Sequence, residues 1–386
     1  MSLNAPVVIA LISFVLSLGL TPLFRKIALK SQFLDSPAGQ LKKHTAPVPY
    51  LGGLAIYFSF LLTILGVLVL EAPVEGARVL AILSGATVMA LLGLVDDLFS
   101  LSPLVKFLFQ FLAAGLLVVF GVQLEFLPAH PFIAVVFTLL WVVGVTNAVN
   151  LIDIMDGLAG GVAAIACLGF VLVPFLGSQS YVPLTAAALG GSLVGFLPYN
   201  FQPARIYMGD SGALFLGYVL AGLAMGHGYS QENVLALCAP VLILGIPLYD
   251  TVLVMVLRTL KGRSMFRGSN DHLALRLRKM GLTVKQTVVG LWILSASLVV
   301  GSGFLVRLSE KRALALLLAL SAMGMIFTLI VASVPMDDPK LEAVLPAGIP
   351  PRRGDPDDPK GSPTPKIKTF ETQSVRKKIK PRARKK

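Results

Sequence analysis

Eleven apolar stretches of about twenty residues recur along this chain, and they leave little choice of fold. Each can cross a hydrocarbon core as one helix. They fall near 5–24, 51–70, 78–95, 104–121, 131–149, 157–176, 182–199, 211–228, 234–257, 286–306 and 313–334. Only 14% of residues are charged, against about 25% in soluble domains. Continuous apolar runs also exclude the alternating pattern of an outer-membrane barrel. The expectation is an all-α, polytopic transmembrane bundle of about eleven spans. Residues 1–334 form the membrane-embedded domain. Residues 335–386, rich in Pro, Lys and Arg, are expected to be a disordered basic cytoplasmic tail.

Charge orients the bundle. No Lys or Arg precedes the first span, whereas Arg25, Lys26 and Lys30 follow it. With no clear cleavage site, that span reads as an anchor with its amino terminus outside. Alternation then places 25–50, 96–103, 150–156, 200–210, 258–285 and the tail inside. Up to residue 334 the inner side, with Lys106 at its edge, holds 15 Lys and Arg; the outer side holds four. This satisfies the positive-inside rule. The final VRKKIKPRARKK run suits anionic lipid or plain solvation. Beyond its charge nothing points to nucleic acid. Cys167 and Cys238 lie within spans and read as small apolar residues.

The informative residues are acids where apolar segments run out on the inner side. Carboxylates are costly near lipid, about 2.5–3.5 kcal/mol each at the bilayer centre. Gathered at one interface, they suit a divalent cation and a phosphate substrate. Asp96 and Asp97 close the third span, where the negative end of the helix dipole disfavours them and a cation is invited. Lys106 opens the next span and can return to the same surface. In Asn147-Ala-Val-Asn150-Leu-Ile-Asp153-Ile-Met-Asp156-Gly157 a polar residue stands at every third position. A 3₁₀ turn would align all four on one edge, and Gly157 permits a break in the chain. Hydrogen-bonding between helices is the ordinary reading, and it suits Asn147 best.

Asp210, in Met208-Gly209-Asp210-Ser211-Gly212, is either a helix N-cap or a metal ligand, with Gly209 and Gly212 letting backbone approach a ligand. The loop from Arg258 carries eight Lys and Arg around Asp271, His272 and Arg276, a set suited to a multiply charged anion. Lys43 and His44 precede Gly52 and Gly53, so a basic loop leads into a helix start that suits phosphate. Asp250, inside the ninth span, is expected to pair with a neighbouring Lys or Arg.

Six stretches, in order, resemble the polyprenyl-phosphate N-acetylhexosamine-1-phosphate transferase family. They are HTAPVPYLGG (44–53), GLVDDLFSLSPLVKFLFQ (93–110), NAVNLIDIMDGLAGG (147–161), IYMGDSGALFLG (206–217), PLYDTVLVMVLR (247–258) and NDHLALRL (270–277). The family includes the peptidoglycan phospho-MurNAc-pentapeptide translocase. It also includes the GlcNAc-1-phosphate transferases that start O-antigen, enterobacterial common antigen and teichoic acid synthesis. The translocase carries a triple His in the last loop and the GlcNAc enzymes often His-x-His-His; this chain keeps His272 alone, which favours the GlcNAc branch.

The resemblance implies transfer of a sugar 1-phosphate from a UDP-sugar to undecaprenyl phosphate at the cytoplasmic face of a bacterial inner membrane. It implies Mg²⁺, with Mn²⁺ as a substitute, and a homodimer as an option. Asp96, Asp97, Asp153 and His272 would be catalytic. Lys43, His44, Lys106, Asn147, Asp156 and Arg276 would bind substrate. Asn150, Asp210 and Asp97 would hold the metal. A two-step route through an Asp nucleophile stays open beside direct attack. The rival from another class, a cation-coupled transporter, predicts midplane acids and an internal repeat, neither of which is evident.

Overall fold

The computed structural model describes residues 4–35, 48–70, 75–124, 130–173, 181–226, 233–262 and 269–336. The described residues lie in one compact unit; a second unit, Ile349–Lys386, lies outside them, as does all of the expected tail 335–386 beyond Met336. The first unit's described residues form helices joined by turns and one two-residue antiparallel ladder, β1 (Leu34–Asp35) with β2 (Val48–Pro49).

Among the described residues, seven helices are long and apolar enough to cross a membrane. They are α1 (Asn4–Lys30), α2 (Gly52–Leu70), α3 (Gly76–Phe99), α5 (Pro131–Leu151), α7 (Tyr181–Asn200), α12 (Val284–Arg307) and α13 (Glu310–Ala332). Three shorter apolar helices lie among them: α4 (Pro103–Val119), α6 (Leu158–Leu172) and α8 (Gly209–Ala224). The expected ninth span is not one rod. A 3₁₀ turn, Val234–Cys238, leads into α9 (Ala239–Ile243), and α10 (Gly245–Leu260) departs at 80°. Pro247 explains the break, because it has no N–H for Ile243 and its ring would collide there in a continuous helix.

Helix α8 is the axis. Every residue from Ser211 to Ala224 is buried, with α2, α3, α5, α6 and α7 packed around it. In lipid the gain comes from close packing, not from leaving water. Glycines permit it. A Cβ on Gly53 would overlap the backbone of Gly212, one on Gly93 would overlap the backbone of Asp210, and one on Gly85 would overlap the Tyr218 ring. Outer faces of α1, α4 and α13 instead expose Leu11, Leu104, Leu318 and Ile326, as lipid-facing helices do.

The two ends of the bundle differ. At one end Glu75 accepts from the Tyr181 N–H at 3.1 Å and pairs with Arg78, while the Asn233 amide donates to carbonyls of Leu305 and Leu308. The other ends of α3, α7 and α12 lie with the acids.

A candidate phosphotransfer site at the helix ends

Helix α3 ends in a left-handed Ser100, and Ser102 caps α4 with Pro103 in its first turn. This tight return brings Lys106 back onto the acids. Its ammonium donates to Asp96 Oδ2 at 2.5 Å and to Asp210 Oδ2 at 3.1 Å. Asp96 Oδ1 accepts from the Leu101 N–H at 2.6 Å. Two acid-bearing segments more than a hundred residues apart are thus joined at one ammonium.

Asp97 has a definite task. Its Oδ1 accepts from the N–H of Asp210 at 2.9 Å and its Oδ2 from that of Ser211 at 3.1 Å. It caps α8 from another helix. Met208 occupies the N-cap position and makes no side-chain bond there. The cap role weighed for Asp210 therefore belongs to Asp97. Gly209 is required: its φ is +71° and a Cβ would sit 2.6 Å from Asp97 Oδ2. Gly209 and Gly212 serve these close contacts, not an approach to ligand. Likewise Gly52 and Gly53 donate their N–H groups to carbonyls of Tyr207 and Met208, so the start of α2 is spent on protein instead of phosphate.

The Asn147–Asp156 run is split. Asn147 and Asn150 lie in α5, which continues to Leu151, and only 152–157 is a chain of turns. The single 3₁₀ edge does not form. Asn147 exchanges hydrogen bonds with Gln110 of α4, at 2.6 Å and 3.5 Å, as an interhelical pair. Asn150 has no side-chain partner among the described residues. The break at Gly157 is present, with φ +79°. Asn200 holds that turn, accepting from the Gly157 N–H at 3.0 Å and donating to the Ile206 carbonyl. Asp156 Oδ2 accepts from the Ala204 N–H at 2.9 Å. Part of Asp153 reaches the surface, yet the protein around it desolvates the carboxyl. Burial first, then the charges of Asp97 and Asp156, push it up to about 7.

The last loop lies against this turn. Ile152 and Met155 share an apolar cluster with Leu273 and Leu275 of α11 (Leu273–Lys279). His272 Nδ1 lies 2.7 Å from Asp250 Oδ2, and Asp250 Oδ1 accepts from the Leu273 N–H at 2.6 Å. Asp250 thus meets a histidine, not the Lys or Arg expected. Arg276, expected at the substrate, is buried in the fold. It is 1% exposed and spends four of its five N–H donors on protein, so it is walled in by the fold instead of presented to substrate. Lys43 and His44 lie outside the described residues.

Sequence reading missed Gln110, Asn200 and the true role of Asp250. Gln110 carried a signal, a lone amide within an apolar helix. The partners of Asn200 and Asp250 are visible only in the fold.

For a metal, no three His, Cys, Asp or Glu side chains converge among the described residues. Mg²⁺ needs no such group, since it takes one or two protein carboxylates and fills its octahedron with water and phosphate oxygens. Asp210 already holds a cationic ammonium, and the Asn150 amide is unengaged. This donor set fits a hard cation bound together with a phosphate.

The chain matches the model of glycosyl transferase family 4 over residues 79–227. It is 34% identical over 297 residues to the probable undecaprenyl-phosphate N-acetylglucosaminyl 1-phosphate transferase of Bacillus subtilis, covering 75% of this chain and 81% of that one. A decaprenyl-phosphate N-acetylglucosaminephosphotransferase of Mycobacterium leprae is 32% identical over 285 residues, covering 65% and 72%. A phospho-N-acetylmuramoyl-pentapeptide-transferase of a Mycobacterium species is 29% identical over 341 residues, covering 74% and 92%.

Proposed function

This chain belongs to glycosyl transferase family 4, and on that premise we propose that it transfers N-acetylglucosamine 1-phosphate from a UDP-sugar to undecaprenyl phosphate, starting a cell-envelope polysaccharide. The observation that carries the reading is the Lys106 ammonium held between Asp96 and Asp210 at the helix ends. The greater likeness to N-acetylglucosamine enzymes than to the pentapeptide transferase supports the donor. A cation-coupled transporter finds no support among the relatives.

The reaction moves one phosphoryl group. A phosphate oxygen of the lipid attacks the β-phosphorus of the donor, the bridging P–O bond breaks, and UMP leaves with that oxygen. Such chemistry needs positioning and charge neutralisation more than covalent help. Lys106 lies where it can hold diphosphate oxygens. Asp96, fixed by Leu101 and Lys106, orients the lipid phosphate, whose second pKa near ~6 makes a strong base unnecessary. Asp156 is assigned to the uracil. Asp210 and Asn150 would hold Mg²⁺, which would neutralise the diphosphate when bound. Asp97 contributes by fixing the first turn of α8 that carries Asp210.

We take the acid end as cytoplasmic, where UDP-sugars are, with eleven spans and an outer amino terminus. Cysteine labelling at Ser102 and Ser269 should then report inside. The function is tested by UMP release from a panel of UDP-sugars, with Mg²⁺, undecaprenyl phosphate and purified protein. Release only from UDP-MurNAc-pentapeptide, or none from any donor, would overturn the assignment.

A further inference from the structure

Arg276 and Asp250 are buried ionisable groups with no direct part in the chemistry above. Arg276 is the largest of the side chains under 2% exposed. Its Nε donates to the Asp271 carbonyl at 3.0 Å and its Nη2 to Asp271 Oδ1 at 2.5 Å. Its Nη1 donates to the carbonyls of Val331 at 3.1 Å and Val334 at 2.9 Å. Val331 lies in the last turn of α13 and Val334 just past it, where the negative end of the helix favours a cation. One guanidinium therefore ties the residue before His272 to the end of the last helix, more than fifty residues on. Lys261 and Ser269 complete the Asp271 carboxylate. Burial pushes this carboxyl upward, but those bonds and the Lys261 and Arg276 charges outweigh it and hold it below the usual range.

On the other side of His272, Asp250 is 3% exposed and binds both the His272 ring and the Leu273 N–H. With Nδ1 held, the ring keeps only Nε2 for other work. Among the described residues Nε2 has no partner, and it is not one of the buried atoms left unpaired. The ring is thus gripped at one nitrogen and open at the other. A mere packing role does not require a buried charge, since buried ion pairs are often no more stabilising than apolar substitutes.

We propose that Arg276 and Asp250 are positioning residues that lock His272 against the Asp153–Asp156 turn, Arg276 by clamping the loop to α13 and Asp250 by fixing the imidazole. This rests on the transferase reading for what His272 does, but the lock itself does not.

Two measurements on the purified full chain decide it. Amide exchange without substrate compares the wild type with Arg276→Gln and Arg276→Lys. The clamp requires about tenfold faster exchange, or more, in 271–280 and 329–334 together in the Gln variant. Arg276→Lys should recover part of it, since one ammonium replaces a fork. Unchanged exchange in either segment overturns the clamp. The second measurement is kcat/KM in a double-mutant cycle. Asp250→Asn should lower it about tenfold or more, yet add nothing in a His272→Ala background. Asp250→Glu, the second variant, should fall between wild type and Asn. Equal losses in both backgrounds would reduce Asp250 to a fold contact. A wild type that releases no UMP would sink the transferase reading, while the exchange arm would still decide the lock.

Discussion

Asp97 offers a sign test. It stands among other acids, so removing its charge should stabilise the ligand-free protein if repulsion dominates, as in a site that waits for a cation. The structure argues the opposite. Asp97 accepts two N–H groups of the first turn of α8, at 2.9 Å and 3.1 Å. Hydrogen bonds to a charged group contribute about 1.5–3 kcal/mol each. Asn keeps one acceptor oxygen and turns an NH₂ toward the other N–H, so Asp97→Asn should cost about 2 kcal/mol. Ala loses both, for about 3–6 kcal/mol. On this reading the two bonds outweigh both the repulsion and the burial of charge that Asn would relieve. The Lys106 ammonium already compensates Asp96 and Asp210, and Asp153, pushed up to about 7, carries only part of its charge at neutral pH. Soluble domains of 150–250 residues shift by about 2–4 °C per kcal/mol, and longer chains by less. A fall of a few degrees is therefore expected, read in detergent from the fluorescence of Trp141 and Trp292 without metal or donor. An unchanged or higher melting temperature for Asp97→Asn would refute the capping argument and return Asp97 to the free acids.

Gly53→Ala should prevent accumulation of folded protein, since its Cβ would overlap Gly212 backbone that cannot swing aside, whereas Gly19→Ala, with nothing within 4 Å, should behave as wild type. Asp210→Asn should abolish turnover while the protein stays folded and still binds UMP; near-normal rates with unchanged Mg²⁺ dependence would remove Asp210 from the metal. Asp156→Ala should weaken UMP binding by about 1.5–3 kcal/mol in calorimetry, and unaltered binding would move the uracil elsewhere. Asp271 is depressed below its ordinary 3.8, so its contribution to loop order is complete above that value and disappears as pH falls through the folded pKa. Protection of amides 269–276, corrected for the intrinsic pH dependence of exchange, should accordingly stay flat from neutral pH down to about 5 and fall only in strong acid; loosening between those limits would implicate another group.

The helices were legible because lipid imposes one long apolar period, and Tyr181–Asn200 lies within a residue of the expected 182–199. The break at Leu244 was also written in the sequence, as Pro240, Gly245 and Pro247, but composition alone read through it. The meeting of Lys106 with Asp96 could be anticipated because the intervening turn is short. What could not be read was which acid serves which backbone. Asp97 caps a helix that begins 112 residues later, and Arg276 closes one that ends 56 residues later. Such pairings carry no local signature, since the residue types are those a ligand site would also use. The same ambiguity set Arg276 among the expected substrate ligands without its protein partners and left Asp250 with the wrong partner.

Helix α8 is enclosed by α2, α3, α5, α6 and α7, all of which precede it in the chain. At synthesis most of its socket can therefore stand before it emerges. With only 16 residues and a sheath of neighbours, it is a guest of the protein more than of the bilayer. Its release from the insertion machinery should depend on waiting helices, not on its own hydrophobicity. Damage to the socket would then show first as chains stalled at the translocon or degraded during synthesis, before any loss of catalysis could be measured.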